Sequence, residues 1–292
     1  MNGELRALGY GKATAIDIDP MEKKPLYHFL PGRPVMSFGS WGCNLHCEFC
    51  QNFLISQQEH PARTLVPADV ARLTIDNRCP AAAFTYNEPL VGFEFVRDAA
   101  AALRDAGAKV VLVTNGYVNP EPWEEMLGWI DAANIDIKAF EDDFYRRHCA
   151  GTLAPVLTAV EAAARRGVHI ELTTLVIPTL NDSPKPMEDL ARWIAEHCGA
   201  GTPVHLSAYF PRYRSTAAAT PPVLIERMRD IFRKHLRYVY AGNVTTPGGA
   251  DTVCAGCGTT AVRRSGFTPD LSGLAPDGRC ARCGHDNGFV MS

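Results

Sequence analysis

Between residues 35 and 240 the chain repeats one pattern six times: a short apolar run, then a stretch of helical periodicity. The apolar runs fall at 35–41, 81–86, 109–114, 134–139, 168–177 and 204–210. The helical stretches fall at 67–77, 90–106, 120–131, 154–166, 186–198 and 221–235. Several of them open at or just after Pro, whose fixed φ suits a first helical turn. Repetition at this spacing predicts parallel strands joined by right-handed crossovers. Six units, with room for a short further strand at 238–241, fall short of a full eightfold barrel. The expected fold class is α/β, a partial TIM-like (β/α)6 barrel.

The strand period of two adds a second constraint. In Asn134-Ile135-Asp136-Ile137-Lys138 the polar residues share one face and the isoleucines the other. The alternation returns in His169-Ile170-Glu171-Leu172-Thr173 and in His205-Leu206-Ser207-Ala208-Tyr209. Helix-covered outer faces must be apolar, so the polar faces look inward. An interior built for stability alone is filled with branched apolar side chains. Three polar inner faces therefore predict a polar guest, although any one strand could instead serve an internal hydrogen-bond network.

With 292 residues, the chain is long enough for one large domain and a small one. We expect a lead-in segment at 1–34, the barrel at 35–241, and a linker with a small C-terminal module at 242–292. A formal charge of −3 gives no electrostatic footprint for nucleic acid or an anionic membrane. The first residues contain no apolar signal-like run, and no stretch of about 18 apolar residues occurs. These observations point to the cytoplasm and to no membrane partner.

In a reducing compartment, clustered cysteines read as metal ligands rather than disulfides. Seven of the ten cysteines are clustered, and Cys79, Cys149 and Cys198 are isolated, as inert core thiols usually are. The tail carries two C-x2-C-G knuckles, Cys254/Cys257 and Cys280/Cys283. Four thiolates close a tetrahedral site for zinc or rubredoxin-type iron, and so short a module would depend on its metal to fold. The other cluster, Gly42-Cys43-Asn44-Leu45-His46-Cys47-Glu48-Phe49-Cys50-Gln51-Asn52, offers only three. His46 adjoins Cys47 and is poorly placed to be a fourth ligand. Three thiolates suit a [4Fe–4S] cluster with one iron left open to a small molecule.

This C-x3-C-x-aromatic-C loop, following the first barrel strand, resembles the signature of the radical SAM superfamily. The resemblance implies S-adenosylmethionine on the open iron of a cluster held by Cys43, Cys47 and Cys50, with Phe49 against the adenine. Thr85-Tyr86-Asn87-Glu88-Pro89 ends the second strand, where the superfamily places a GGE-like motif that meets the methionine amino group. Tyr86 and Asn87 replace its glycines, and Glu88 carries over. Thr114 and Asn115 at the third strand end, and Asp136 and Lys138 at the fourth, look like the cofactor-binding positions of pyruvate formate-lyase activating enzymes. Thr179-Leu180-Asn181-Asp182 is similar to their fifth strand end. A histidine late in their barrel has no counterpart in Ser207-Ala208-Tyr209-Phe210-Pro211. Together with Asp19–Gly32, TYNEP, DIKAF and the tail knuckles, the whole chain looks like the radical SAM member of the AmmeMemoRadiSam system. Many such relatives carry a further cysteine-rich segment that is missing ahead of Met1.

The resemblance implies reductive cleavage of S-adenosylmethionine and hydrogen abstraction, with a flavodoxin or ferredoxin-type donor. A substrate glycyl residue on a partner protein, or Memo-like system partners, would follow from the activating-enzyme likeness. A small metabolite touching Tyr27, His28, His205 or Tyr209 is the alternative, RNA is the weakest substrate, and a non-catalytic iron–sulfur or zinc sensor is a different class. Glu88, Asp136, Lys138 and Phe49 together argue against the sensor, which needs no S-adenosylmethionine pocket.

Overall fold

The computed structural model describes residues 7–292; the first six residues of the lead-in segment lie outside the described residues. The chain enters through β1 (Lys12–Ala13) and β2 (Ala15–Pro20), then β3 (Pro34–Gly39) leads into the cysteine loop. A short α1 (Phe53–Ser56), β4 (Arg63–Thr64) and α2 (Pro67–Asp76) follow. Alternation then sets in: β5 (Ala81–Phe84), α3 (Phe93–Asp105), β6 (Lys109–Thr114), α4 (Pro120–Leu127) and β7 (Ala132–Asp136). A short α5 (Asp142–Phe144), α6 (Ala154–Arg166), β8 (His169–Val176), α7 (Pro184–His197), β9 (Val204–Ala208), α8 (Pro222–Phe232) and β10 (Val239–Gly242) complete the barrel. The tail holds β11 (Thr252–Val253), β12 (Thr260–Ser265) and β13 (Thr268–Asp270).

One eight-stranded sheet carries the fold in the order β10-β9-β8-β7-β6-β5-β3-β2. Neighbours from β3 to β10 are parallel, and β2 runs antiparallel to β3. The two ends of the sheet do not pair, so the barrel is incomplete, as expected. The short strand allowed for at 238–241 is present as β10. The strand β2 lies in the lead-in segment, where no strand was expected. It sits at the edge and closes on Pro20, where a missing N–H breaks no ladder.

Helix starts follow proline chemistry: Pro67, Pro120, Pro184 and Pro222 each occupy a first turn. The second helix of the expected set is shorter at its start, because Pro89–Gly92 winds as a 3-10 turn before α3. Outside the sheet, the apolar helix faces bury Leu103, Trp123, Val160, Leu190 and Phe232 against it. Trp123 also satisfies its indole N–H on the Ala159 carbonyl across to α6, at 2.8 Å.

The barrel floor is where the inner-face expectation is corrected. The polar guest of the lower interior is the chain itself. Met21, Leu26, Phe29 and Leu30 plug the amino-terminal strand ends against Val35, Ala81, Val111 and Ala132. Around that plug the inner polar residues serve its backbone. Asn134 donates to the Pro25 carbonyl at 2.8 Å, and the His28 N–H donates to Glu171 at 2.6 Å. His205 meets the other Glu171 oxygen at 2.7 Å. Tyr27, His28, His205 and Tyr209 are all buried and engaged within the protein, so none presents itself at a mouth. A buried polar group needs such partners, which is why these strands read as polar.

The tail packs beneath this floor. Val290 pairs with Phe29 as an isolated bridge, and Arg264 stacks on the Tyr27 ring at 4.2 Å. Among the described residues, no helix is long and apolar enough to cross a membrane.

Candidate cofactor site at the carboxyl ends of the strands

The cysteine loop leaves β3 at the end of the barrel opposite the floor. Asn87 holds it there: its amide donates to the Gly42 carbonyl at 3.1 Å, and its oxygen accepts from the Ser40 N–H at 2.8 Å. Gly42, at φ 95°, takes a turn that favours glycine. Within the loop, Cys43 Sγ accepts from the Leu45 N–H at 3.4 Å and from the Asn115 amide at 3.5 Å. Cys47 meets the thiol of buried Cys149, and Cys50 Sγ lies 3.1 Å from the Ser56 hydroxyl. Burial pushes the Cys43 thiol up to about 12.

The three loop sulfurs are not all within 4.8 Å of one another. Among the described residues, the four tail cysteines are the one ligand group whose donor atoms all lie within 4.8 Å of one another. Three thiols spread around a partly open rim fit a polynuclear iron–sulfur cluster, with one thiolate per iron, and do not fit a single ion.

Glu88 sits beside this rim, buried at 3 % exposure. One oxygen accepts from the Thr114 hydroxyl at 2.7 Å and from the Leu90 N–H at 3.0 Å, and the other accepts from the Asn115 N–H at 2.8 Å. Burial raises its pKa to about 6, against the pull of those donors. On the next strand, Lys138 forms an ion pair with Asp136, and its N–H donates to the Tyr145 hydroxyl at 2.9 Å. Burial opposes the Lys138 charge, but the Asp136 carboxylate outweighs it and the amine is held protonated. Asn181 ties these strand ends together: its amide reaches the Lys138 and Leu175 carbonyls at 2.7 and 2.8 Å.

Glu88, Thr114 and Asn115 are thus gathered against Cys43, and Asp136 and Lys138 are joined to each other. Phe49 and Tyr86 each have an aromatic or polar partner within the protein. The Phe49 ring is buried against Phe144, with centroids 5.8 Å apart. Tyr86, at φ 73°, drops its ring into the barrel over the bare face of Gly39, and its hydroxyl meets Asp19. A Cβ on Gly39 would stand 2.8 Å from that ring. The sequence held no sign of this, because the Asp19 partner lies on the unexpected edge strand.

The segment after β9 reaches back over the mouth. The Arg214 and Ser215 N–H groups both donate to the Glu48 carbonyl at 2.9 Å, and Tyr213 stacks on Phe53 at 4.9 Å. It narrows the open side of the barrel next to the cysteine loop. A cleft of about 700 Å³ lies between Arg237 and Thr252 on the tail side, and none of its lining residues belongs to the rim.

The tail site is a different kind of centre. Cys254 and Cys283 sulfurs are 3.7 Å apart, and Cys257 and Cys280 are 3.8 Å apart. These are the edges of a tetrahedron with metal–sulfur bonds of about 2.3 Å. Asn287, buried, donates to Cys254 at 3.6 Å, and the Thr259 hydroxyl draws Cys257 down to about 6. Four thiolates would leave no open position on a metal held there.

Comparison with known proteins agrees with the geometry. The family model described as Radical SAM superfamily matches residues 40–194. An uncharacterized protein of Methanocaldococcus jannaschii is 37% identical over 297 residues, spanning 100% of this chain and 88% of that protein. The pyruvate formate-lyase-activating enzyme of Clostridium pasteurianum is 26% identical over 158 residues, 52% of this chain and 66% of that enzyme. In fold, the chain is similar to Streptococcus suis SuiB bound to precursor peptide SuiA, with a TM-score of 0.58 and 15% identity. That likeness covers 77% of this chain and 51% of the SuiB chain.

Proposed function

The chain belongs to the radical SAM superfamily, and from that premise we propose that Cys43, Cys47 and Cys50 hold a [4Fe–4S] cluster beside bound S-adenosylmethionine. When bound, the pair supplies reductive cleavage of the sulfonium and a 5′-deoxyadenosyl radical able to remove a substrate hydrogen. The work of the protein is to orient and to exclude water. Glu88 receives the methionine ammonium, and the Thr114 and Asn115 donors fix its carboxylate in place. Lys138 would hold the methionine carboxylate, and Asp136 the ribose hydroxyls. Asn87 acts one step back by pinning the loop that carries the thiols. The tail cysteines hold zinc or iron as a closed structural centre.

The substrate is proposed to be a glycyl residue on a partner protein, in line with the name of the activating enzyme that this chain is similar to. A flavodoxin or ferredoxin in the cytoplasm would supply the electron. The observation that carries the cofactor reading is the continuous bond path from Glu88 through Asn115 to Cys43. The test is anaerobic reconstitution followed by S-adenosylmethionine and dithionite. Release of 5′-deoxyadenosine is expected, and a filled cluster that yields none would overturn the enzyme reading. Deuterium transfer from a labelled candidate into 5′-deoxyadenosine would identify the substrate.

A further inference from the structure

We propose that Ser56 and Gln57, neither of which belongs to the cysteine motif, form a hydrogen-bond relay onto Cys50 that raises the reduction potential of the cluster. The inference rests on the cluster reading above and adds two positioning residues to it.

The direction of the relay follows from which groups can donate. Ser56 closes α1 with 5 % exposure, and its hydroxyl oxygen lies 3.1 Å from Cys50 Sγ. In a thiol pair either atom could donate. An iron-bound thiolate carries no proton, so there the sulfur can only accept. The other neighbour of Ser56 removes the remaining ambiguity. The Gln57 amide nitrogen, which has no lone pair to offer, donates to Ser56 Oγ at 3.5 Å and to the Leu45 carbonyl at 3.1 Å. With one lone pair so occupied, the Ser56 proton is left facing the sulfur. Leu45 also donates its own N–H to Cys43 Sγ at 3.4 Å, so one loop residue connects two of the ligand sulfurs.

The geometry is held from both sides. The Ser56 N–H is bonded to the Asn52 carbonyl at 3.0 Å, and the Asn52 amide is bonded to the Tyr86 carbonyl at 2.7 Å. These bonds fix the Ser56 backbone, and burial of the residue to 5 % exposure, with the Gln57 amide on its oxygen, favours the rotamer that faces Cys50. Donors aimed at thiolate sulfur withdraw charge and favour the more negative, reduced state of a cluster, which makes its potential less negative. In a site partly screened from water each such bond counts for more.

The experiment compares the full wild-type chain with Ser56→Ala, Ser56→Thr and Gln57→Ala after anaerobic reconstitution. Iron and sulfide content are measured beside an EPR-monitored redox titration. Ser56→Ala is expected to hold wild-type iron and to shift to a more negative potential. Ser56→Thr, which keeps the hydroxyl, should stay near the wild-type value. Gln57→Ala should shift in the same direction as Ser56→Ala and by less. A Ser56→Ala protein with full iron and an unshifted potential overturns the relay. If that variant loses its iron, Gln57→Ala decides, and a wild-type potential there overturns the relay equally. No cluster signal in the wild-type chain would instead overturn the cluster reading itself, and the relay with it.

Discussion

Asn115 binds Glu88 and Cys43 at once: its backbone N–H donates to the Glu88 carboxylate at 2.8 Å while its side-chain amide reaches Cys43 Sγ at 3.5 Å. Acid and thiol therefore move as a unit. Any shift of the third strand end is felt by both the proposed substrate anchor and the proposed cluster ligand.

Glu88 gives a pH test of the anchor. Its pKa is raised by burial to about 6, so the carboxylate is protonated below that value and charged above it. Binding of S-adenosylmethionine to the reconstituted protein should strengthen as pH rises through about 6. Glu88→Gln should weaken it by roughly 10- to 100-fold, the loss of a charge-assisted bond of about 1.5–3 kcal/mol. Calorimetry across pH 5 to 7 checks both, and flat binding over that range would exclude Glu88 as the anchor.

The two metal centres should be separable. Cys50→Ala should bring cluster iron to background while the tail metal remains. Cys257→Ser should do the reverse, because its sulfur is one corner of the closed tetrahedron. Elemental analysis of each variant is sufficient, and joint loss of both metals in either one would contradict independent sites.

Beneath the site, Asp19 and Lys24 form a buried ion pair at 2.6 Å, with side chains 6% and 2% exposed. Burial works against the Asp19 charge, but Lys23, Lys24 and the Tyr86 hydroxyl overcome it and hold the carboxyl well below its usual range. Lys24→Met leaves Asp19 only Lys23 and the Tyr86 hydroxyl and should cost about 1.5–3 kcal/mol, the loss of one charge-assisted bond. The double variant Asp19→Asn/Lys24→Met should recover most of the loss. Urea midpoints measure both.

His28 predicts acid sensitivity of the floor. Full burial holds its pKa down to about 3, so it is folded as the neutral ring. Its Nδ1 donates to the Asn287 carbonyl at 3.0 Å, because a carbonyl can only accept, and its Nε2 accepts from the Tyr240 hydroxyl at 2.6 Å. A base depressed in the folded state stabilises the protein above its unfolded pKa of about 6.5 and loses that contribution as pH falls toward about 3. The loss should approach about 1.4 kcal/mol per pH unit in that window. Melting curves from pH 7 to 4 should show a His28→Gln variant, already less stable, with a shallower slope than wild type.

The parts legible in the sequence were those with local period or spacing. The six strand–helix units, the three-cysteine loop and the paired knuckles each declare themselves within a few residues. Glu88, Thr114 and Asn115 were singled out by the resemblance of their strand-end motifs to those of the family. The floor was not, because its bonds join residues far apart in the chain, such as His28 with Glu171 and with Asn287. Its polar residues were seen and their guest misread, since nothing local distinguishes a partner within the chain from a ligand. The Tyr86 ring and the Ser56 hydroxyl were hidden for the same reason: their directions depend on Gly39, Asp19 and Gln57.

The pairing of Phe29 with Val290 also sets an order of events during synthesis. Residues 24–30 leave the ribosome early, yet the groups that lock them in place, at 287–290, leave it more than two hundred and fifty residues later. The strands can align meanwhile, but the underside of the barrel stays unsealed until the tail has been made. On the proposal that a metal folds the tail, metal supply would govern how long each nascent chain remains open to proteases.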